Sequence, residues 1–231
     1  MSLDRGLPYL VIPVKSSSGS KQRLALRLND HERQMVSRTL AASVLGIAAR
    51  VWPEGRLVVV SSEPQLLVTC ARLGIPILPE LGAGQTAAVR VGVDWCLERG
   101  ASTLATLAAD LPGVVEDDLQ ALLALARTMD SGSMVIYPDR DGTGTNGLVV
   151  SPASLIVHAF GPDSRHRHEL IGTALGLRVR VVEQAGIAWD LDRPEDMNWD
   201  AHRSTAHPII PWAMELAPRE AGPAKDGGFG D

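Results

Sequence analysis

Short apolar runs along the chain alternate with longer stretches in which apolar residues recur every three or four positions. That is the pattern of strands alternating with helices. Leu10, Val11, Ile12 and Val14 read as a first short buried strand, followed by a Ser/Gly-rich turn. Asn29 and Glu32 have capping-box spacing. Met35, Val36, Leu40, Val44 and Ile47 then mark the apolar face of an amphipathic helix of about five turns, ending before Pro53. Residues 57–61 form a second strand, and residues 64–73 a helix opened by Pro64 and closed by Gly74. Residues 75–78 are a third strand candidate. A Gly-rich turn at 81–84 leads into a helix whose apolar face carries Val89, Val93 and Cys96. Residues 103–109 are the next strand, ending on Asp110-Leu111-Pro112, and Glu116, Asp117 and Asp118 suit the first turn of the following helix.

Residues 134–137 and 147–151 are later strand candidates, joined by the turn-forming stretch PDRDGTGTNG. Residues 177–182 and 187–191 supply the last two strands, and Pro194 opens a closing helix. The spacing argues for an α/β fold with a mostly parallel sheet in a single domain over residues 1–203. Residues 143–164 break the alternation, which predicts a small mixed insertion on the ligand side of the sheet. From about residue 204 onward Pro, Gly, Ala and charged residues dominate, so 204–231 reads as a C-terminal tail, disordered over at least 217–231. There is no internal repeat.

A chain of 231 residues can bury a sizeable core. The net charge of −5 removes any global basic footprint for nucleic acid, so local basic clusters read as sites for small anions. No apolar run approaches the roughly 20 residues of a membrane span, and no signal-peptide pattern opens the chain. The expectation is a cytoplasmic protein with neither nucleic-acid nor membrane partners; a homodimer is left open. Cys70 and Cys96 both lie inside helical patterns and read as buried free thiols.

Candidate chemistry clusters at the expected strand ends. The first strand runs into a turn with Lys15, Lys21 and Arg23 nearby, a cradle for a polyphosphate in which Gly19 permits close backbone approach. With one glycine available, the loop does not match the P-loop pattern. Asp110 follows one strand, and Asp190 and Asp192 another, with a spacing of two that puts both on one face of an extended segment. Carboxylates at the ends of buried strands need a partner, and a divalent cation such as Mg2+ supplies one. Asp192 could instead cap the last helix. Residues 141–147 offer backbone amides with little side-chain bulk, suited to phosphate or carboxylate oxygens. A second anion site is expected where Ser164 caps a helix through Leu175. His158, His166 and His168 lack the spacing and cysteine partners of a zinc site; His168 reads as a hydrogen-bonding or structural histidine. No nucleophile elbow or Ser-His-Asp set is present.

Taken in order, VIPVK-x5-K-x-RLA, ADLP, GTGTN, FGPDS-x3-H and DLDRPEDM, spanning Val11 to Met197, resemble the phospholactate guanylyltransferase family of coenzyme F-420 biosynthesis. The resemblance implies the Rossmann-like nucleotidyltransferase version of the α/β fold. It implies transfer of GMP from GTP to the phosphate of 2-phospho-L-lactate, phosphoenolpyruvate or 3-phospho-D-glycerate, with release of pyrophosphate. By motif, Lys15, Lys21 and Arg23 would hold the GTP phosphates, with Asp110 as a further catalytic residue. Asp110, Asp190 and Asp192 would bind Mg2+, and Thr145, Gly161 and Ser164 would grip the acceptor acid.

The chain departs from the family pattern in two places. Asp163-Ser164-Arg165 stands where Gly-Ser-Phe is usual, and Gln85-Thr86 where Leu-Asn is frequent. The first change suggests that Arg165 or Arg167 contacts a longer or more hydroxylated acceptor. The alternatives are a nucleotidyltransferase acting on another phosphorylated acceptor and a non-catalytic nucleotide-binding protein of the same fold. The single glycine of the first loop disfavours the former, and the retained carboxylates and cations disfavour the latter.

Overall fold

A computed structural model describes residues 6–15, 22–80, 85–194 and 196. Lys21, the Ser/Gly turn before it, the turn at 81–84, the remainder of the closing helix and the tail lie outside the described residues. One seven-stranded sheet organises the chain. In order along the sequence come β1 (Tyr9–Pro13), a 3-10 turn (Gln22–Leu26), α1 (Asp30–Val51), β2 (Leu57–Val60), α2 (Pro64–Leu73), β3 (Ile77–Leu78) and α3 (Gln85–Glu98). β4 (Leu104–Leu107), α4 (Glu116–Thr128), β5 (Ser133–Pro138), β6 (Thr145–Ser151), α5 (Ser164–Ala174), β7 (Arg178–Val181) and α6 (Ala185–Ala188) follow.

The helix boundaries have local causes. Asn29 and Glu32 form the reciprocal capping box of α1, with Glu32 N–H donating to Asn29 Oδ1 at 3.0 Å and Asn29 N–H to Glu32 Oε2 at 2.7 Å. Val36, Leu40, Val44 and Ile47 are buried on its inner face, whereas Met35 falls outside the stripe and is exposed. Pro64 opens α2, and Gly74, at φ 67°, closes it in the left-handed conformation that glycine adopts without strain.

The strand order is β3-β2-β1-β4-β6-β5-β7. All strands run parallel except β6, which is antiparallel to both β4 and β5. The mixed element expected beside the sheet therefore sits within it. Two apolar layers cover the faces. On one, α1, α2, α4 and Ile187 of α6 pack over Leu10, Ile12, Leu107, Val135 and Val149. On the other, α3 covers Val11, Val60 and Leu104, and Met134, Ile136 and Leu148 belong to the same layer. The order reverses between β1 and β4: β2 and β3 lie beyond β1 on one side, and β6, β5 and β7 lie beyond β4 on the other. Such a switch point leaves a crevice at the carboxyl ends of the two strands, where open α/β sheets bind ligands.

Residues 187–191 do not form the expected strand. The N–H groups of Ile187 and Ala188 close a helical turn on Gln184 O at 2.9 and 2.8 Å. The carbonyls of Ile187 and Ala188 accept from Asn146 Nδ2 at 2.9 and 3.2 Å. With those groups occupied the stretch cannot pair as a strand. A single sheet-like bond remains, Leu191 N–H to Asp110 O at 3.1 Å.

Helix α3 lies so close to β1 that a Cβ on Gly92 would collide with both methyl carbons of Val11 and with Val60. Gly92→Ala is expected to lose about 1–2 kcal/mol, overpacking outweighing the gain in helix propensity. Urea unfolding with an unchanged m-value would show it.

Candidate active site

The backbone brings the predicted carboxylates together. Val11 pairs with Thr106 across β1 and β4, so Lys15 and Asp110, each four residues further on, emerge side by side at the switch point. Asp110 is half-buried and Lys15 exposed. The Leu191–Asp110 bond then lays residues 190–192 along the end of β4. Leu191 is buried under Leu24, Leu28, Val36 and Leu40, which leaves Asp190 and Asp192 flanking it in the cleft. Arg23, from the 3-10 turn, joins them around a cavity of about 40 Å3, also lined by Arg140, Asp141 and Arg193. That space suits an ion or a few waters.

Three tethers hold the Asp190 segment from behind. Gln184 Nε2 donates to Asp118 Oδ1 at 3.1 Å, and Asp118 Oδ2 accepts the Val115 N–H at 2.9 Å, tying α6 to the start of α4. Asp118 thus does more than complement the helix dipole, the role its position predicted. Asn146 reaches Asp190 Oδ1 at 3.4 Å. Asp196 Oδ2 accepts the N–H groups of Asp192 and Arg193 at 2.8 and 2.6 Å, and its other oxygen pairs with Arg140 at 2.5 Å. The Asp196 side chain thus caps the backbone N–H groups of Asp192 and Arg193. Arg193 pairs with Asp141 at 2.8 Å, and the Arg140 guanidinium lies 4.4 Å over the Trp189 ring. Arg140, Asp141, Arg193 and Asp196 were not singled out from the sequence. The DLDRPED stretch contained the signal for two of them, but only the fold brings the β5–β6 turn against it.

Burial first, and then the Asp110 and Asp192 carboxylates, push the Asp190 carboxyl up to about 7. A carboxyl crowded by two others fits a divalent cation. Among the described residues no group of three His, Cys, Asp or Glu side chains is arranged to hold a metal unaided. The donor set suits a magnesium ion that takes one or two carboxylates and completes its shell with phosphate oxygens.

The other predicted residues gather on the opposite face. Tyr137 pairs with Gly147 but Pro138 with Thr145, so Asn146 is the extra residue of a β-bulge. The bulge shifts the strand's alternation by one residue, so that Asn146 faces α6 and Thr145 faces α5. Thr145 Oγ1 lies 3.0 Å from His168 Nδ1, one turn into α5 from Ser164. Ser164 is buried as the first residue of that helix; the N-cap is Asp163, whose side chain makes no capping bond. Gly161, at φ 111°, lies in the loop before it.

One expectation about these loops is corrected. The amides of Gly142 and Thr143 in the β5–β6 turn are not open, because Gly142 N–H donates to Asp139 O at 3.0 Å and Thr143 N–H to Asp139 Oδ1 at 2.9 Å. Arg165 and Arg167 have partners within the protein. Arg165 bonds Gly142 O at 3.1 Å and Glu169 at 3.1 Å, and Arg167 bonds Phe160 O at 3.3 Å and Pro162 O. Both guanidiniums brace loop carbonyls. His158 and His168 are held neutral, His158 at about 3 by burial and then by His168, and His168 at about 4 by burial and then by Arg167. Cys70 and Cys96 are buried and free, as expected. None of the described helices is long and apolar enough to cross a membrane.

A Rossmann-like sheet with carboxylates and cations at its switch point defines a nucleotidyltransferase. The chain belongs to the family described as guanylyl transferase CofC like, whose model matches residues 9–199. It is 35% identical over 187 residues to a phosphoenolpyruvate guanylyltransferase of Sphaerobacter thermophilus, covering 81% of this chain and 89% of the relative. It is 32% identical to a 3-phospho-D-glycerate guanylyltransferase of Phenylobacterium zucineum, covering 80% and 86%. Its fold is shared with a cytidylyltransferase structure from Leptospira borgpetersenii at a TM-score of 0.56 and 11% identity, covering 91% and 92%.

Two outcomes follow for stability. Above pH 7 the folded protein carries the crowded Asp190 charge, and the penalty fades as pH falls through the folded value toward 3.8. The buried histidines act oppositely: below 6.5 the unfolded chain takes up protons first, so stability is lost as pH falls toward 4. Asp190→Asn should therefore be more stable than wild type at pH 8, by about 1–2 kcal/mol after allowing for partial exposure. In thermal melts the gap should shrink as pH falls below 7 and close only toward 3.8. Separately, Asp163 holds a left-handed φ of 57° at the position where the family pattern has glycine. Asp163→Gly, removing no capping bond, is expected to raise stability by about 1 kcal/mol in urea unfolding.

Proposed function

We propose that this enzyme moves GMP from GTP to the phosphate of a small phosphorylated carboxylic acid, releasing pyrophosphate, in coenzyme F-420 biosynthesis. The observation that carries the reading is the crowding of Asp190 with Asp110 and Asp192 at the β1–β4 switch point, held there by backbone bonds. A site built to retain unfavourable negative charge suits chemistry in which a cation meets polyphosphate. The family match and the names of its relatives support guanylyl transfer to a phosphorylated acid.

In this reading Lys15 and Arg23, with Lys21, neutralise the triphosphate. A phosphate oxygen of the acceptor attacks the α-phosphorus of GTP in line. The new P–O bond forms as the bond to the β-phosphate breaks, and pyrophosphate leaves with the electron pair. The acceptor phosphate is already ionised at neutral pH, so no base has to remove a proton; alignment and charge neutralisation carry the rate. Asp110, Asp190 and Asp192 would hold magnesium, which supplies positive charge against that developing on the phosphates. Thr145, Gly161 and Ser164 would grip the acceptor. Phosphoenolpyruvate, 3-phospho-D-glycerate and 2-phospho-L-lactate are the candidate acids. Arg165 and Arg167 also bond loop carbonyls, which places their guanidiniums beside the loops that precede and flank α5.

The test is pyrophosphate release with GTP and magnesium, offering each acid separately. Release is expected with one acid, and Asp110→Asn should lower kcat/KM by about a hundredfold to several thousandfold, as for other transition-state electrostatic contacts. Tight GTP binding without release on any of the three would reject this acceptor class.

A further inference from the structure

His168 is fully buried in α5, yet both of its ring nitrogens are engaged. Nε2 lies 2.9 Å from the backbone nitrogen of Ala159, whose N–H can only donate. Nε2 must therefore be the unprotonated nitrogen, and in the neutral ring the proton sits on Nδ1. Nδ1–H then donates to Thr145 Oγ1 at 3.0 Å. A hydroxyl that accepts from the ring cannot also direct its own proton there, and among the described residues Oγ1 has no other hydrogen-bond partner.

We propose that His168 is a positioning residue for the acceptor site: fixed in its Nδ1–H form by Ala159, it turns the Thr145 hydroxyl proton away from the ring, as a donor for an anionic oxygen of the phosphorylated acid. The inference rests on the acceptor role given to Thr145 above. The same geometry removes Thr145 as a nucleophile, since His168 offers it no lone pair to take a proton. The ring is itself held in place, with Phe160 packed edge-on at a centroid distance of 5.4 Å and His158 at 6.3 Å. The latter is anchored through Nε2 at 3.3 Å to Thr106 Oγ1 of β4. The His168 ring stays neutral at pH 7, its pKa lowered to about 4 by burial and by Arg167, so this donor direction does not invert across the working pH range.

Two measurements test it. In the wild-type protein at pH 7, nitrogen-15 shifts should show His168 protonated at Nδ1; an Nε2–H ring would overturn the proposal without any variant. In pyrophosphate-release kinetics with whichever of the three acids is turned over, His168→Gln can keep the Ala159 bond and lose the one to Thr145. It should raise KM for the acid about tenfold, the worth of one hydrogen bond, with KM for GTP unchanged. His168→Asn, whose amide falls at the Nδ1 position, should restore KM to within about threefold of wild type. In a Thr145→Val background His168→Gln should add nothing further. If Thr145→Val raises KM for the acid but the two His168 variants change only stability, or affect both substrates equally, the positioning role is wrong and the acceptor site stands. If Thr145→Val leaves KM for the acid unchanged, the acceptor role of Thr145 fails, and this inference with it.

Discussion

Everything at the carboxyl edge of the sheet serves one electrostatic constraint: three aspartates that repel one another are kept within mutual range. Water would separate them. Backbone and amide bonds fix the segment that carries two of them, chiefly Leu191 N–H to Asp110 O and the Asn146 side chain on the carbonyls of Ile187 and Ala188. Behind these stand Gln184 on Asp118 and Asp196 on the backbone of residues 192 and 193. The upward shift at Asp190 follows from its burial first and then from Asp110 and Asp192.

The second organising feature is β6. As the one antiparallel strand, placed between β4 and β5, it starts at the edge where its neighbours end. Its first residues therefore arrive at the site rather than leave from it. The bulge at Asn146 then divides the labour: Asn146 supports the carboxylate segment on one face and Thr145 reaches α5 on the other. A regular strand would have turned Thr145 toward the face that carries Gly147 and Val149.

The acceptor-side loops are braced by charge rather than open to it. Arg165 ties α5 to the β5–β6 turn, and Arg167 ties it to the loop at 160–162. A guanidinium near a binding site invites a substrate role, yet five fixed donors make it equally good at collecting stray carbonyls where two loops meet.

Much of this was legible in the sequence because local chemistry dictated it. The capping box of α1, the Pro64 and Gly74 boundaries of α2 and the β-α alternation are short-range signals, and the structure follows them closely. The candidate residues Asp110, Asp190, Asp192 and Arg23 could be picked out because chemistry-bearing side chains at strand ends recur in ordered motifs. Long-range partners were not legible. Nothing local in residues 187–191 says that Asn146 will claim their carbonyls and keep them from forming a strand. Nothing in PDRDG says that Arg140 will pair with Asp196, or that Asp139 will occupy the turn amides. The sequence by itself determined the class of fold and the chemical identity of the site, since periodicity, caps and residue types act over a few positions. Only the tertiary structure decided which groups face each other, where β6 inserts, and which arginines are structural, because those outcomes depend on hydrogen-bond competition between segments far apart in the chain.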